Sequence, residues 1–104
     1  MTAHPVRRLL DLDRVVHEPA RLAILTVLSA AAEVEFKFLE AVTGLTKGNL
    51  SSHTLKLEHA GYIQVRKAFR GRIPVTRFEI TVSGRRALDQ YVTQLKANLP
   101  TPSD

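Results

Sequence analysis

Apolar residues recur at helical intervals from the first residues onward. Val6, Leu9, Leu10, Leu12, Val15 and Val16 are separated by charges, so the spacing predicts an amphipathic helix from Val6 to His17. Pro19 marks the next boundary, because it suits a first helical turn and disfavours helix in the residue before it. A second helix, Ala20 to Ala32, carries Leu22, Ile24, Leu25, Val27 and Leu28 around most of its circumference, as a buried central helix would. Val34-Glu35-Phe36 alternates apolar and polar and reads as a short strand or extended link. Phe38, Leu39 and Val42 then return to helical spacing, and Gly44 is placed to end that helix in a left-handed cap. Thr46 caps the next helix, which runs to His59 with Leu50 and Leu57 facing inward, and Gly61 ends it. From Tyr62 to Phe69 and from Val75 to Val82 the period changes to two. Ile63, Val65, Phe78 and Ile80 alternate with polar residues, and Gly71 and Pro74 lie between the runs, which is a hairpin signal. Thr81 or Ser83 caps a last helix striped by Leu88, Tyr91, Val92, Leu95 and Leu99, and a frayed tail is expected from Pro100 to Asp104.

These elements fit one α+β domain spanning residues 1–104, mainly helical, with no internal repeat. Two short helices meet at the turn Thr43-Gly44-Leu45-Thr46, and a strand pair follows. That order predicts a winged helix-turn-helix. The helix-turn-helix occupies about residues 38–60, the antiparallel wing of two or three strands about 62–82, and the C-terminal helix about 83–99, with the outer helices available for dimerisation.

Charge sharpens this picture. The chain is net +5, but residues 45–86 alone hold nine basic side chains against Glu58 and Glu79, a net of +7 between two flanks of −1 each. A basic patch set between near-neutral segments is the footprint expected for a polyanion. The helix from Thr46 contributes Lys47, Asn49, Ser51, Ser52, His53 and Lys56, with no acid before Glu58. Short polar side chains can reach base edges in the major groove, and the lysines can meet phosphate or guanine. Arg66, Lys67, Arg70, Arg72 and Arg77 fall within twelve acid-free residues around the hairpin. Arginine suits a narrow minor groove, and Gly71 lets the tip turn tightly so that Arg70 and Arg72 project. The expected DNA contacts are therefore Thr46, Lys47, Asn49, Ser51, Ser52, His53, Lys56, Lys67, Arg70, Arg72 and Arg77. Arginines folded inward against carboxylates, or a helix covered by its own chain, would defeat this reading.

The runs Pro19-Ala-Arg-Leu-Ala-Ile-Leu, Gly44-Leu-Thr-Lys-Gly-Asn-Leu-Ser-Ser-His, Leu57-Glu-His-Ala-Gly-Tyr-Ile and Thr81-Val-Ser-Gly-Arg together resemble the MarR/ArsR-like winged-helix transcriptional regulators, from about Leu9 to Leu95. The resemblance implies a homodimeric repressor or activator on a pseudo-palindromic operator, with Thr46 to Lys56 as recognition helix and Arg70 to Arg72 as wing tip. It also implies a small-molecule pocket between the dimer helices and the DNA-binding lobe, though no residue cluster marks one. Members usually place leucine directly after the position of His53; here Thr54 comes first, so Leu55 is expected to be partly exposed. The chain is shorter than a typical MarR protein, and the cysteine ligands of many ArsR proteins are absent. Independently, the first and last helices carry more apolar surface than a small core can cover. Leu9, Leu12, Val16, Tyr91, Leu95 and Leu99 are the expected dimer interface, whereas Leu88 and Val92 are expected to pack within one subunit.

Other function classes find less support. Ser51, Ser52 and His53 are adjacent on a helix and so point apart, with no positioned acid or phosphate loop, and no enzyme or cofactor is expected. His4, His17, Glu18, His53 and His59 show no tight ligand spacing, so no metal site is expected either. The chain has no cysteine, no signal sequence and no apolar run of membrane length, as expected of a soluble cytoplasmic protein. The main rival is a winged-helix module used for protein association, which would tend to carry an apolar or acidic face.

Overall fold

The computed structural model describes residues 4–100. Its elements are a 3-10 helix Pro5–Asp11, α1 Pro19–Ser29, β1 Val34–Glu35, α2 Phe36–Thr43, α3 Lys47–His59, β2 Ile63–Arg70, β3 Ile73–Ile80 and α4 Val82–Asn98. The three antiparallel strands lie in the order β1-β3-β2, and the helices cover one face of the sheet. Ile24, Leu25, Leu28, Leu39, Leu50, Leu57 and Val16 form the fully enclosed centre, closed from the sheet side by Val34, Ile63, Phe78 and Ile80. The expected winged helix-turn-helix is therefore present, with β1 as third strand.

Local chemistry sets the boundaries. The expected helix Val6–His17 is instead a 3-10 turn followed by a loop, and the break falls at Leu12, whose ψ of 142° is extended. Asp13 explains it: Oδ1 accepts the N–H groups of Val15 and Val16 at 2.8 and 3.1 Å, offering the backbone a turn in place of the helix. Glu18 caps α1 by accepting from Ala20 and Arg21, which sets Pro19 in the first turn. α1 stops at Ser29, before the three expected alanines. α2 begins two residues early, at Phe36, and ends at Gly44 with φ 72°. α3 closes in a Schellman arrangement, with Tyr62 N–H donating to Leu57 O and Gly61 N–H to Glu58 O.

α4 is locked to that closure. Thr81 N–H donates to Tyr62 O at 3.0 Å, Thr81 Oγ1 donates to Gly61 O at 2.6 Å, and the same hydroxyl accepts Gly84 N–H. A Cβ on Gly84 would lie 2.1 Å from Tyr62 O, so only glycine allows this approach. The register of α3, wing and α4 is thereby fixed at one junction. The expected tail beyond Pro100 lies outside the described residues.

Candidate nucleic-acid interface

Burial of Leu50, Thr54 and Leu57 turns α3 so that one stripe faces the core. Thr54 occupies the inner position at the expense of Leu55. Its hydroxyl donates to Leu50 O at 2.9 Å, which satisfies the polar atom within the helix. The opposite face carries Gly48, Ser52, Leu55 and His59, flanked by Lys47, Asn49, Ser51 and Lys56, all exposed. Leu55 is 50% exposed, in line with its place after Thr54, and His59 joins the outward line although residue type alone does not place it there. Thr46 is committed differently: its Oγ1 accepts Asn49 N–H at 3.2 Å and caps the helix.

His53 does not join the outer face. Its Nδ1 lies 3.5 Å from Glu18 Oε2 and 3.3 Å from Arg21 Nη1, so the ring bridges α3 to the start of α1. The reason is rotational: three residues after Leu50 and four before Leu57, His53 sits at the edge of the buried stripe. Burial acts to raise the Glu18 pKa, but donation from the Arg21 and Ala20 N–H groups outweighs it. The charges of His53 and Arg21 add to that, and the carboxyl is held below its usual range.

The wing is a hairpin of two eight-residue strands paired from Ile63↔Ile80 to Arg70↔Ile73. The two-residue turn Gly71-Arg72 has φ 65° at Gly71 and no positive φ at Arg72, which is the type II′ pattern suited to strand twist. Pairing puts Arg66 opposite Arg77, and Arg77 opposite Glu35 of β1, on the face away from the helices. Acids from outside the hairpin therefore reach its arginines. Glu35 binds Arg70 and lies 3.8 Å from Arg77 Nε, while Glu33 lies 3.6 Å from Arg77 Nε and 3.9 Å from Arg66 Nη1. The acid-free hairpin is thus not acid-free in space. Arg66 and Arg70 nonetheless keep 61% and 63% of their side-chain surface exposed, whereas Arg77 keeps 35%. Arg77, expected as a DNA contact, belongs to the sheet's own charge cluster, half-buried between Glu33 and Glu35. Lys67 and Arg72 are exposed and make no ion pair among the described residues.

Between α2, the start of α3 and the wing lies a cleft of about 280 Å³. Phe36, Pro74 and Val75 form part of its wall, and Lys37, Lys47 and Arg70 stand there with Glu35 and Glu40, so the lining is of mixed charge. An α-helix end, this cleft and a projecting hairpin are thus neighbours.

A family of winged helix DNA-binding domains matches residues 20–99. The chain belongs to that family. An uncharacterized protein of Methanocaldococcus jannaschii is 32% identical over 83 residues, covering 79% of this chain and 89% of the relative. A solved transcriptional regulator homologue from Pyrococcus horikoshii shares 31% identity and superposes with a TM-score of 0.81, over 88% of this chain and 92% of that one. A MarR-family transcriptional regulator from Silicibacter pomeroyi, 19% identical, has the same fold at a TM-score of 0.65, over 90% of this chain and 63% of its own. The MarR-like resemblance of the sequence is matched at the level of fold.

In this winged helix domain the expected dimer residues separate into two groups. Leu12, Val16 and Tyr91 are buried in the core of their own chain, because the N-terminal 3-10 helix and the following loop pack across α4. Tyr91 OH lies 2.9 Å from His17 Nδ1. These three are not free to meet a second chain. Leu9 and Leu95 are half-buried, and Leu99 is 47% exposed. Leu88 is buried, but Val92, expected to pack internally, is exposed together with Val6 and Leu10. Among the described residues no group of three or more His, Cys, Asp or Glu could hold a metal ion, and no helix is long and apolar enough to cross a membrane.

Proposed function

We propose that this winged helix domain is a sequence-specific double-stranded DNA-binding transcriptional regulator that acts as a homodimer. α3 enters the major groove, and the wing reaches the minor groove or its phosphates. The observation that carries the reading is the outer face of α3, where Lys47, Asn49, Ser51, Ser52 and Lys56 stand exposed and uncovered by their own chain. Asn49, Ser51 and Ser52 are the candidates for base edges, and Lys47, Lys56, Lys67, Arg70 and Arg72 for phosphates or groove walls. Arg70 must leave Glu35 to take part. His53, Thr46 and Arg77 serve by fixing the two elements, from their positions in the cap, the α1 bridge and the sheet.

For the dimer, exposed Leu10, Val92 and Leu99, with half-buried Leu95, form the apolar surface of choice. A radius of gyration of 16.1 Å, against roughly 13 Å for a compact chain of this length, supports a shape completed by a second subunit. Two copies would set recognition helices about 34 Å apart, one turn of DNA. Light scattering that gives the mass of one subunit at micromolar concentration would remove the dimer from this reading.

The decisive experiment is a binding isotherm on duplex DNA at several salt concentrations. Affinity should fall with a log–log slope of about −0.9 per phosphate neutralised. Lys67→Ala with Arg72→Ala should weaken binding to every sequence and flatten the slope. Asn49→Ala or Ser52→Ala should relax preference at particular bases, at about 1–3 kcal/mol for each good contact. The rival, a protein-association module, is favoured by the carboxylates that occupy three wing arginines. Salt-independent or undetectable duplex binding would select it.

A further inference from the structure

The tip of the wing carries exposed apolar side chains. Phe69 is 74% exposed and Ile73 62%, and Pro74 beside them is exposed as well. On the face that Phe69 shares with the core, the outermost pair packed against that core is Val65↔Phe78, and Phe69 pairs with Pro74 four residues further out. At about 3.3 Å per residue, the ring stands roughly 13 Å beyond that pair. A single exposed apolar residue is ordinary, but here Phe69 and Pro74 form a cross-strand pair on one face of the hairpin end, with exposed Lys67 and Arg72 beside them. The tight Gly71-Arg72 turn keeps that end thin.

We propose that Phe69 is an apolar wedge that enters the minor groove of duplex DNA and partly unstacks one base step. Charge complementarity selects this occupant: Lys67 and Arg72, exposed and without an ion pair among the described residues, flank the ring with the potential that draws a hairpin toward phosphates and a narrow groove, and Arg70 adds to it only on leaving Glu35. A minor groove about 6 Å wide admits a two-stranded tip edge-on but not a helix. Once there, the ring has only sugar and base edges to meet, and insertion at a flexible pyrimidine–purine step removes it from water. Arg72 then works as an anchor rather than as the group that reads the site. The consequence is a DNA bend centred on the wing position.

This inference rests on the DNA-binding reading above, and the test separates the two. Duplex selected by the full-length protein is labelled at both ends for energy transfer, with 2-aminopurine placed at successive steps under the wing. The parent should raise 2-aminopurine fluorescence at one step and shorten the end-to-end distance. Phe69→Ala should abolish both signals and weaken binding roughly tenfold, as expected for loss of a stacking contact, while leaving the salt slope unchanged. Phe69→Leu should restore part of the bend. A parent that binds with no rise at any step, or a Phe69→Ala protein that bends DNA as the parent does, overturns the wedge and leaves the DNA-binding reading standing. A parent that binds no duplex overturns both. A Phe69→Ala protein with fewer subunits per particle, or a lower melting temperature, would show the ring to be an interface or core residue, and would also overturn the proposal.

Discussion

Replacing Glu33 and Glu35 together by glutamine tests how the wing's charge is held. These two carboxylates face three guanidinium groups, those of Arg66, Arg70 and Arg77, and the pairs are between 32% and 63% exposed. Exposed pairs of this kind contribute about 0–1 kcal/mol each, because water screens them and both side chains lose freedom on pairing. Partial mutual repulsion among the freed arginines adds to the loss. With four such contacts together worth about 1–2 kcal/mol, the double variant should unfold roughly 4–16 °C below the parent, since 1 kcal/mol corresponds to roughly 4–8 °C at this chain size. Its effect on DNA should be larger and opposite in sign. Arg66 and Arg70, both more than 60% exposed, become available to phosphates, whereas half-buried Arg77 stays in the sheet. Two added phosphate contacts steepen the log–log salt slope by about 1.8 and tighten binding at low salt. The assay is fluorescence anisotropy of a labelled duplex over a salt series, with Asp11→Asn plus Asp89→Asn, both exposed and away from the wing, as the control for the same change of two charges. A double variant that matches the parent in slope and affinity, or that merely matches this control, would refute the idea that Glu33 and Glu35 compete with DNA for the wing.

Other outcomes follow from the packing and titration chemistry. Gly84→Ala should destabilise by about 1–3 kcal/mol or more, since its Cβ would meet the Tyr62 carbonyl at 2.1 Å, and an unchanged melting temperature would contradict that close approach. The Tyr62 hydroxyl donates to Asp13, and this bond, with burial and the Asp13 charge adding to it, pushes the phenol up to about 12. Because the folded value lies above the unfolded one, the stability from this bond is complete below roughly pH 10 and lost as pH rises through the folded value. Ultraviolet titration of the parent should show a tyrosine step at about pH 12, and Asp13→Asn should move that step down; a profile unchanged in Asp13→Asn would refute the assignment. Glu18 shows the opposite sign: its lowered pKa gives stability above the ordinary carboxylate range that is lost as pH falls through the folded value. Acid denaturation should therefore be shallower in Glu18→Gln than in the parent, and identical profiles would remove Glu18 from the cap's energetics.

Much of the fold could be read from punctuation. Pro19, Gly44, Thr46, Gly61 and Thr81 each impose or relieve a specific backbone geometry, so element order and the helix-turn-helix followed directly from them. The period-two runs marked Ile63, Val65, Phe78 and Ile80 as one alternating set, and the strands pair Ile63 with Ile80 and Val65 with Phe78. The N-terminal segment was less legible, because an apolar stripe of helical period does not reveal that Asp13 will capture two backbone donors. The same stripe could not say which neighbour covers it, and so Leu12, Val16 and Tyr91 belong to the core while Val92 does not. On the proposed DNA surface, α3 was readable from residue type, but the wing was not. A run of cations in sequence is silent about acids that a separate strand brings beside it, and only the β1 pairing sets Glu35 against Arg77. That pairing was accessible in principle from the alternation Glu33-Val34-Glu35, had its partner strand been known.

The most direct test of the proposed DNA surface is an NMR titration of ¹⁵N-labelled protein with a duplex selected from random DNA. Binding should shift or broaden amide signals from Lys47 to Lys56 and from Lys67 to Arg72, and leave those of the N-terminal 3-10 helix and the exposed face of α4 near their free positions. Perturbations confined to α4 and the 3-10 helix, or none at saturating duplex, would contradict it.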